Sequence, residues 1–176
     1  MNKLLVVLCL CSFYSYADEM KSPSGAFGIN FGDKISNLKV IEKLSLTSGE
    51  PLYKVQAASP LKNKLESYYV MITPKTQEVH TIWGESSYQR RDRGKCQENK
   101  SDIVSLLENK YGESKAATDF NIYDDRKFEI GDVSIYALCK DLGSSLSIRY
   151  FNNSLMEKAK GEQKELVVQK TDSSML

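Results

Sequence analysis

Residues 96–112 read CQENKSDIVSLLENKYG, and the rest of the chain is organised around them. Ile103, Leu106, Leu107 and Tyr111 recur at helical spacing, so an amphipathic helix with one apolar stripe is predicted over 101–111. Ser101 or Asn99 can cap its start, because a short polar side chain accepts a hydrogen bond from an amide of the first turn. Gly112 stops it, since glycine enters left-handed geometry at little cost. Strand-like sequence lies on both sides, which makes the stretch a joint between two halves.

Cys96 opens the joint, and its expected partner is Cys139. The other two cysteines, Cys9 and Cys11, lie within MNKLLVVLCLCSFYSYA at the N-terminus. There Lys3 supplies a basic start, Leu4 to Tyr14 an apolar run, and Ser15-Tyr16-Ala17 a small-x-small cleavage pattern, together the signature of a secretory signal peptide cut after Ala17. The run is shorter than the roughly 20 residues that span a bilayer. Lipid attachment at Cys9 or Cys11 is disfavoured by Leu8 and Leu10, which stand where a small residue is wanted. Export would place Cys96 and Cys139 in an oxidising compartment, where an isolated pair reads as a disulfide. A metal or redox site is the competing reading, but the pair lacks CxxC spacing and His80 is the sole histidine.

Loss of Lys3 with the signal brings the 24 basic side chains level with the 23 acidic ones. A neutral chain has no global field drawing it to nucleic acid or anionic lipid. No later apolar stretch is long enough for a membrane span. The expectation is a periplasmic or secreted domain of ordinary size.

In chain order, residues 18–25 read as a loose leading segment, and Phe27, Ile29 and Phe31 as a short extended arm bent at Gly28 and Gly32. Asp33 could cap a helix carrying Ile35, Leu38, Ile41 and Leu44, ended by Gly49 and Pro51. Strand 52–57 follows, then a hairpin of 67–73 and 77–84. In it Tyr68, Val70 and Ile72 share one face and Tyr69 and Met71 the other. Beyond the joint, 118–123, 127–130, 132–139 and 145–151 read as strands, with turns at Gly131-Asp132 and 141–143. Ser154 and Glu157 have capping-box spacing, so a charged helix is predicted from 153 to about 169, with a frayed tail. The fold class is α+β: one domain over 26–152, helices covering one face of an antiparallel sheet, two helix-plus-three-strand halves, and one disulfide.

That tandem order, with Gly-Ile-Asn-Phe-Gly at 28–32 and Leu-Glu-Asn-Lys-Tyr-Gly at 107–112, resembles the β-lactamase-inhibitory-protein-like architecture shared with small outer-membrane assembly lipoproteins, and looks like small exported bacterial proteins. The resemblance spans roughly residues 26–152 and implies a domain whose exposed sheet face grips another protein. The chain departs from the lipoproteins in lacking a lipid-attachment pattern, and no binding residue carries over.

The motifs of common enzyme classes are absent: there is no GxSxG, P-loop, GxGxxG or HExxH. No catalytic residue, metal ligand or cofactor is therefore assigned. His80 beside Ile82 and Trp83 reads as structural. Asp124-Asp125 could bind a cation or act as acid and base, though a solvated turn is the simpler account. Arg90, Arg91, Arg93 and Lys95 form the sharpest cluster of charge, suited to an acidic protein surface or an anionic lipid head group; a solvated loop is its plain alternative. Tyr68, Tyr69 and Trp83 complete the candidate partner-binding set, because aromatic side chains on an outward sheet face make anchors. The expected function is an exported, non-enzymatic protein-binding domain, an inhibitor or immunity-type partner. An envelope-assembly accessory docking through its C-terminal helix is the second reading, and a small hydrolase the third.

Overall fold

Both halves contribute to one sheet. In a computed structural model of the chain, the described residues are 22–45, 50–59, 61, 63–89, 92–118, 124–140 and 143–173. The elements are β1 (Gly25–Ala26), β2 (Ile29–Asn30), a 3₁₀ turn (Ile35–Asn37), β3 (Val40–Ser45), β4 (Pro51–Val55), β5 (Ser67–Ile72), β6 (Val79–Ser87), α1 (Arg93–Tyr111), β7 (Lys115–Ala116), β8 (Arg126–Ile130), β9 (Val133–Lys140), β10 (Ser145–Asn152) and α2 (Asn153–Ser173). β1 and β2 form a small hairpin whose turn, Phe27-Gly28, has both residues at positive φ. The other eight strands make one antiparallel sheet in the order β3-β4-β5-β6-β10-β9-β8-β7. Two meanders thus meet at β6 and β10, with Ile148 opposite Gly84 and Arg149 opposite Trp83.

The α+β class, the antiparallel sheet and the Cys96–Cys139 disulfide are as the sequence predicts. The internal division differs. The helix expected over 33–44 is replaced by the short 3₁₀ turn and edge strand β3. Its intended stripe has nothing to bury against: Ile41 is 61 % exposed, and the β-branched pair Val40-Ile41 suits a strand. The unit that recurs is therefore four strands followed by a helix. Each helix also takes a different face.

α1 begins at Arg93, well before the expected 101, and no side chain caps it. Its buried face is Cys96, Lys100, Ile103, Val104, Leu107 and Tyr111, whereas Leu106 is 54 % exposed. The stripe was displaced because it starts at Cys96, tied to Cys139 of β9, and so runs along a line shifted from the purely apolar one. Gly112, at φ +82°, ends the helix, its amide donating to the Glu108 carbonyl.

This face of α1 packs on Ile135, Ala137, Leu146, Ile148 and their neighbours to form the core, with Phe27, Ile29 and Leu65 covering the other half of the same sheet face. Gly84 sits where these meet. A Cβ there would lie 2.7 Å from Leu65 Cδ1 and 3.3 Å from both Phe27 Cζ and Tyr68 Cε1. Gly84→Val is expected to cost about 1–3 kcal/mol in urea unfolding, the range for forcing atoms into a packed core.

α2 follows β10 without a loop. Its cap is Asn152, whose Oδ1 accepts from Leu155 N at 2.9 Å, while the Asp132 carboxylate accepts from Ser154 N at 3.2 and 3.3 Å. The expected Ser154/Glu157 capping box does not form; Glu157 pairs with Lys160 instead. The residues of the leading segment that are described are held, with Ser22 Oγ donating to the Ile130 carbonyl. The signal peptide with Cys9 and Cys11, most of strand 118–123, and residues 141–142 of the last turn lie outside the described residues. Among those described, no helix is long and apolar enough to cross a membrane.

Candidate functional site

On the face away from α1, strand pairing aligns six side chains in a row. Lys54 pairs with Tyr69, Tyr69 with Trp83, Trp83 with Arg149, Arg149 with Tyr136, and Tyr136 with Lys127. The row is close to palindromic about its centre: lysine, tyrosine, then tryptophan against arginine, then tyrosine, lysine. Cross-strand neighbours on one face lie close enough to touch. The Tyr69 and Trp83 rings are 5.3 Å apart, the Arg149 guanidinium stands 4.6 Å above the Trp83 ring, and Lys127 Nζ lies 5.5 Å from Tyr136. Cations over ring faces are favourable, most of all over tryptophan.

α2 crosses this face beside the row and leaves a groove of about 590 Å³. Met71, Trp83 and Phe151 form its floor, Met156 and Ala159 its helix wall, and Lys160 and Lys164 its cationic rim, with Glu50 and Pro51 opposite. Arg149 and Phe151 also line a smaller cavity, about 260 Å³, on the Tyr136 side. The volume is in the range of small-molecule sites and the walls are mainly apolar.

The helix is pinned by its charges. Glu162 is buried and accepts from the backbone amides of Lys75 (2.6 Å) and Thr76 (3.0 Å) and from Thr76 Oγ1 (2.7 Å) in the β5–β6 turn. Burial pushes this carboxyl up, but the hydrogen bonds, with Lys158 nearby, outweigh it and hold it below the usual range. Glu78 bridges Lys158 and Lys34, whose ammoniums hold its carboxyl down at about 2, from an ordinary 4.5. Carboxyls depressed in the folded state stabilise fully above their unfolded value and less below it. Docking of α2 should therefore hold above pH 4.5 and weaken as pH falls toward 2. Exchange of the Lys75 and Thr76 amides, corrected for intrinsic rates, reads this directly. Glu162→Ala should accelerate the same amides at neutral pH, by a docking loss of about 2 kcal/mol, the scale of hydrogen bonds to a charged group.

Three polar groups face or floor the groove. Trp83 is 6 % exposed, and its indole Nε1 is the buried side-chain atom among the described residues that has no hydrogen-bond partner. Arg149 donates from Nε to Ser147 Oγ at 2.9 Å and has no ion pair among the described residues. Burial lowers its pKa, while the Glu85 carboxylate opposes that from a distance. His80 shares a 2.9 Å hydrogen bond with its neighbour Thr81. Burial pushes the imidazole below its usual range, against the pull of Glu50 and a backbone hydrogen bond at Ile72.

Of the residues singled out from sequence, the structure brings Tyr69 and Trp83 together here and His80 beside them. Tyr68 faces the opposite way: it is 7 % exposed, packs on Phe27 at 5.1 Å and donates to the Leu65 carbonyl, so it is a core residue. The reason is strand alternation, which cannot present Tyr68 and Tyr69 on one face. Arg90 and Arg91 lie outside the described residues; Arg93 opens α1, and its side chain is likewise outside them. Asp124 and Asp125 do not act jointly. Asp125 accepts from the Cys139 amide at 2.8 Å and stands 3.4 Å from buried Lys100, while Asp124 pairs with Arg126. Among the described residues, no three His, Cys, Asp or Glu side chains gather as a metal site.

Sequence reasoning missed Lys54, Arg149, Tyr136 and Lys127 of the row, and Arg149 is the one that stacks on Trp83. Alternation along 145–151 puts it on the face opposite Leu146, Ile148 and Tyr150, which was a readable signal. Its alignment with Trp83 was not readable, because β6 and β10 are far apart in the chain. No family model, characterised protein sequence or solved structure matches this chain.

Proposed function

We propose that the chain is an exported, non-enzymatic protein-binding domain, an inhibitor or immunity-type partner acting in the periplasm. The observation that carries this reading is the Tyr69–Trp83–Arg149 row at the edge of a groove, with a buried indole N–H that no acceptor in the described chain satisfies. Buried donors are normally paired, and aromatic and arginine side chains are the commonest anchors of protein interfaces. The face is concave, so it would receive an element of the partner. Compartment supports export: the disulfide suits an oxidising environment. The likeness to inhibitory proteins remains part of the proposal and assigns no residue.

The test is affinity capture from a periplasmic extract with the processed chain as bait, against the Tyr69→Ala/Trp83→Ala double variant. A partner held by wild type is expected to be lost, at a cost of about 2 kcal/mol or more for a central anchor. Equal capture by the variant would sink the reading, as would no partner at all.

Exposed Val167 and Val168 near the end of α2 favour the second reading, an envelope accessory that docks through this helix. Truncation after Phe151 does not separate the two, since α2 also walls the groove. Val167→Ser/Val168→Ser does: it should abolish docking only if the helix end is the contact.

A further inference from the structure

The guanidinium of Arg149 stacks on Trp83, its described hydrogen bonding stops at the Nε–Ser147 contact, and no carboxylate pairs with it among the described residues. Beside it, Trp83 Nε1 is a second donor without an acceptor, in a residue 94 % removed from solvent. Both belong to side chains lining one groove of about 590 Å³ whose floor and helix wall include Met71, Phe151, Met156 and Ala159, with His80, Thr81 and Gln163 as further polar lining. The rim adds Lys164 and Lys160, the latter paired with Glu157, and Glu50 is the one acid in the lining. A site of this composition is mainly apolar, sets Arg149 and Trp83 side by side, and is positive on balance.

From this we infer that the groove is a small-molecule site for an amphipathic carboxylate, an aliphatic carboxylic acid whose head group is held at Arg149 and Trp83 and whose chain lies along Met71, Phe151 and Met156. A planar guanidinium presents paired donors that match the two oxygens of a carboxylate, and such charge-assisted bonds are the strong ones. Two methionines give the walls the adaptability that a flexible acyl chain requires. A neutral alcohol would leave the charge of Arg149 uncompensated, and an alkylammonium would oppose it. This goes beyond the protein-binding reading and does not depend on it. Burial holds the Arg149 pKa down, although the Glu85 carboxylate pulls the other way.

Trp83 is the only tryptophan in the chain, so its fluorescence reports directly on the groove. The processed chain is titrated with decanoate below its micelle concentration, and with decanol and decyltrimethylammonium as controls. Decanoate is expected to give a saturable one-to-one change, with both controls weaker by about tenfold or more, as loss of a charge-assisted bond requires. Arg149→Gln should weaken decanoate by about tenfold and leave decanol unchanged, again the scale of one charge-assisted bond. If that variant melts early, Lys164→Gln at the exposed rim should still reduce decanoate binding selectively. No saturable response to decanoate, or equal responses to all three probes, overturns the inference. Failure here alongside Trp83-dependent partner capture would leave the protein-binding reading standing. Decanoate binding without any captured partner would do the reverse.

Discussion

Removing the disulfide by Cys96→Ala/Cys139→Ala is expected to lower the unfolding free energy by about 4 kcal/mol, the chain-entropy value for a closed loop of this size. The two residues are 43 apart in sequence. In the unfolded chain the bond forbids most separations of these positions; in the folded chain it costs little, because both side chains already sit in the core at 0 % and 2 % exposure. Alanine is the better replacement, since serine would bury two hydroxyls. What the bond joins also matters. Cys96 lies in the first turns of α1, a helix start that no side chain caps, and Cys139 lies near the end of β9. Loss of the link should fray α1 first. The melting temperature should fall by roughly 10 °C, and the urea midpoint should fall with it. A change under about 1 kcal/mol would mean that the loop is already restrained in the unfolded state.

Ile148→Ala is expected to cost about 3–4 kcal/mol, within the range for a large-to-small change at a buried isoleucine. Ile148 is fully buried on β10, and its cross-strand neighbours on the core face are Gly84 of β6 and Ala137 of β9. Neither neighbour has a side chain that could move into the space, so the cavity should persist. The same substitution at Ile41, which is 61 % exposed on edge strand β3, should change stability by no more than about 0.5 kcal/mol. Equilibrium urea unfolding of the two variants side by side measures the contrast. A cost at Ile148 below about 1.5 kcal/mol would show that α1 settles onto the sheet to close the gap.

Legibility followed the range of the interactions. The β5–β6 hairpin was readable because alternation and a turn act within a few residues, and the same holds for β8, β9 and β10. The helix predicted over 33–44 failed for the complementary reason. Ile35, Leu38, Ile41 and Leu44 have helical spacing, but spacing binds a helix only where another surface receives the stripe. Here Val40 pairs with Val55, and the backbone continues the sheet instead. At the site, Tyr69 and Trp83 were legible as outward aromatics of one hairpin. Arg149 was not, since its place beside Trp83 depends on the register between β6 and β10.

Sequence by itself determined the α+β class, the cysteine pair, the aromatic hairpin and the two helices that follow the two meanders. Each of these rests on local periodicity, local turn chemistry or the spacing and number of the cysteines. Only the tertiary structure decided that the meanders join at β6 and β10, that α1 and α2 cover opposite faces, and that Trp83 and Arg149 stack beside a groove. These depend on which distant strands pair and on which face each helix finds uncovered. The 96–112 stretch stays the joint of the fold, while the groove that carries the proposed function lies across the sheet from it, beneath α2.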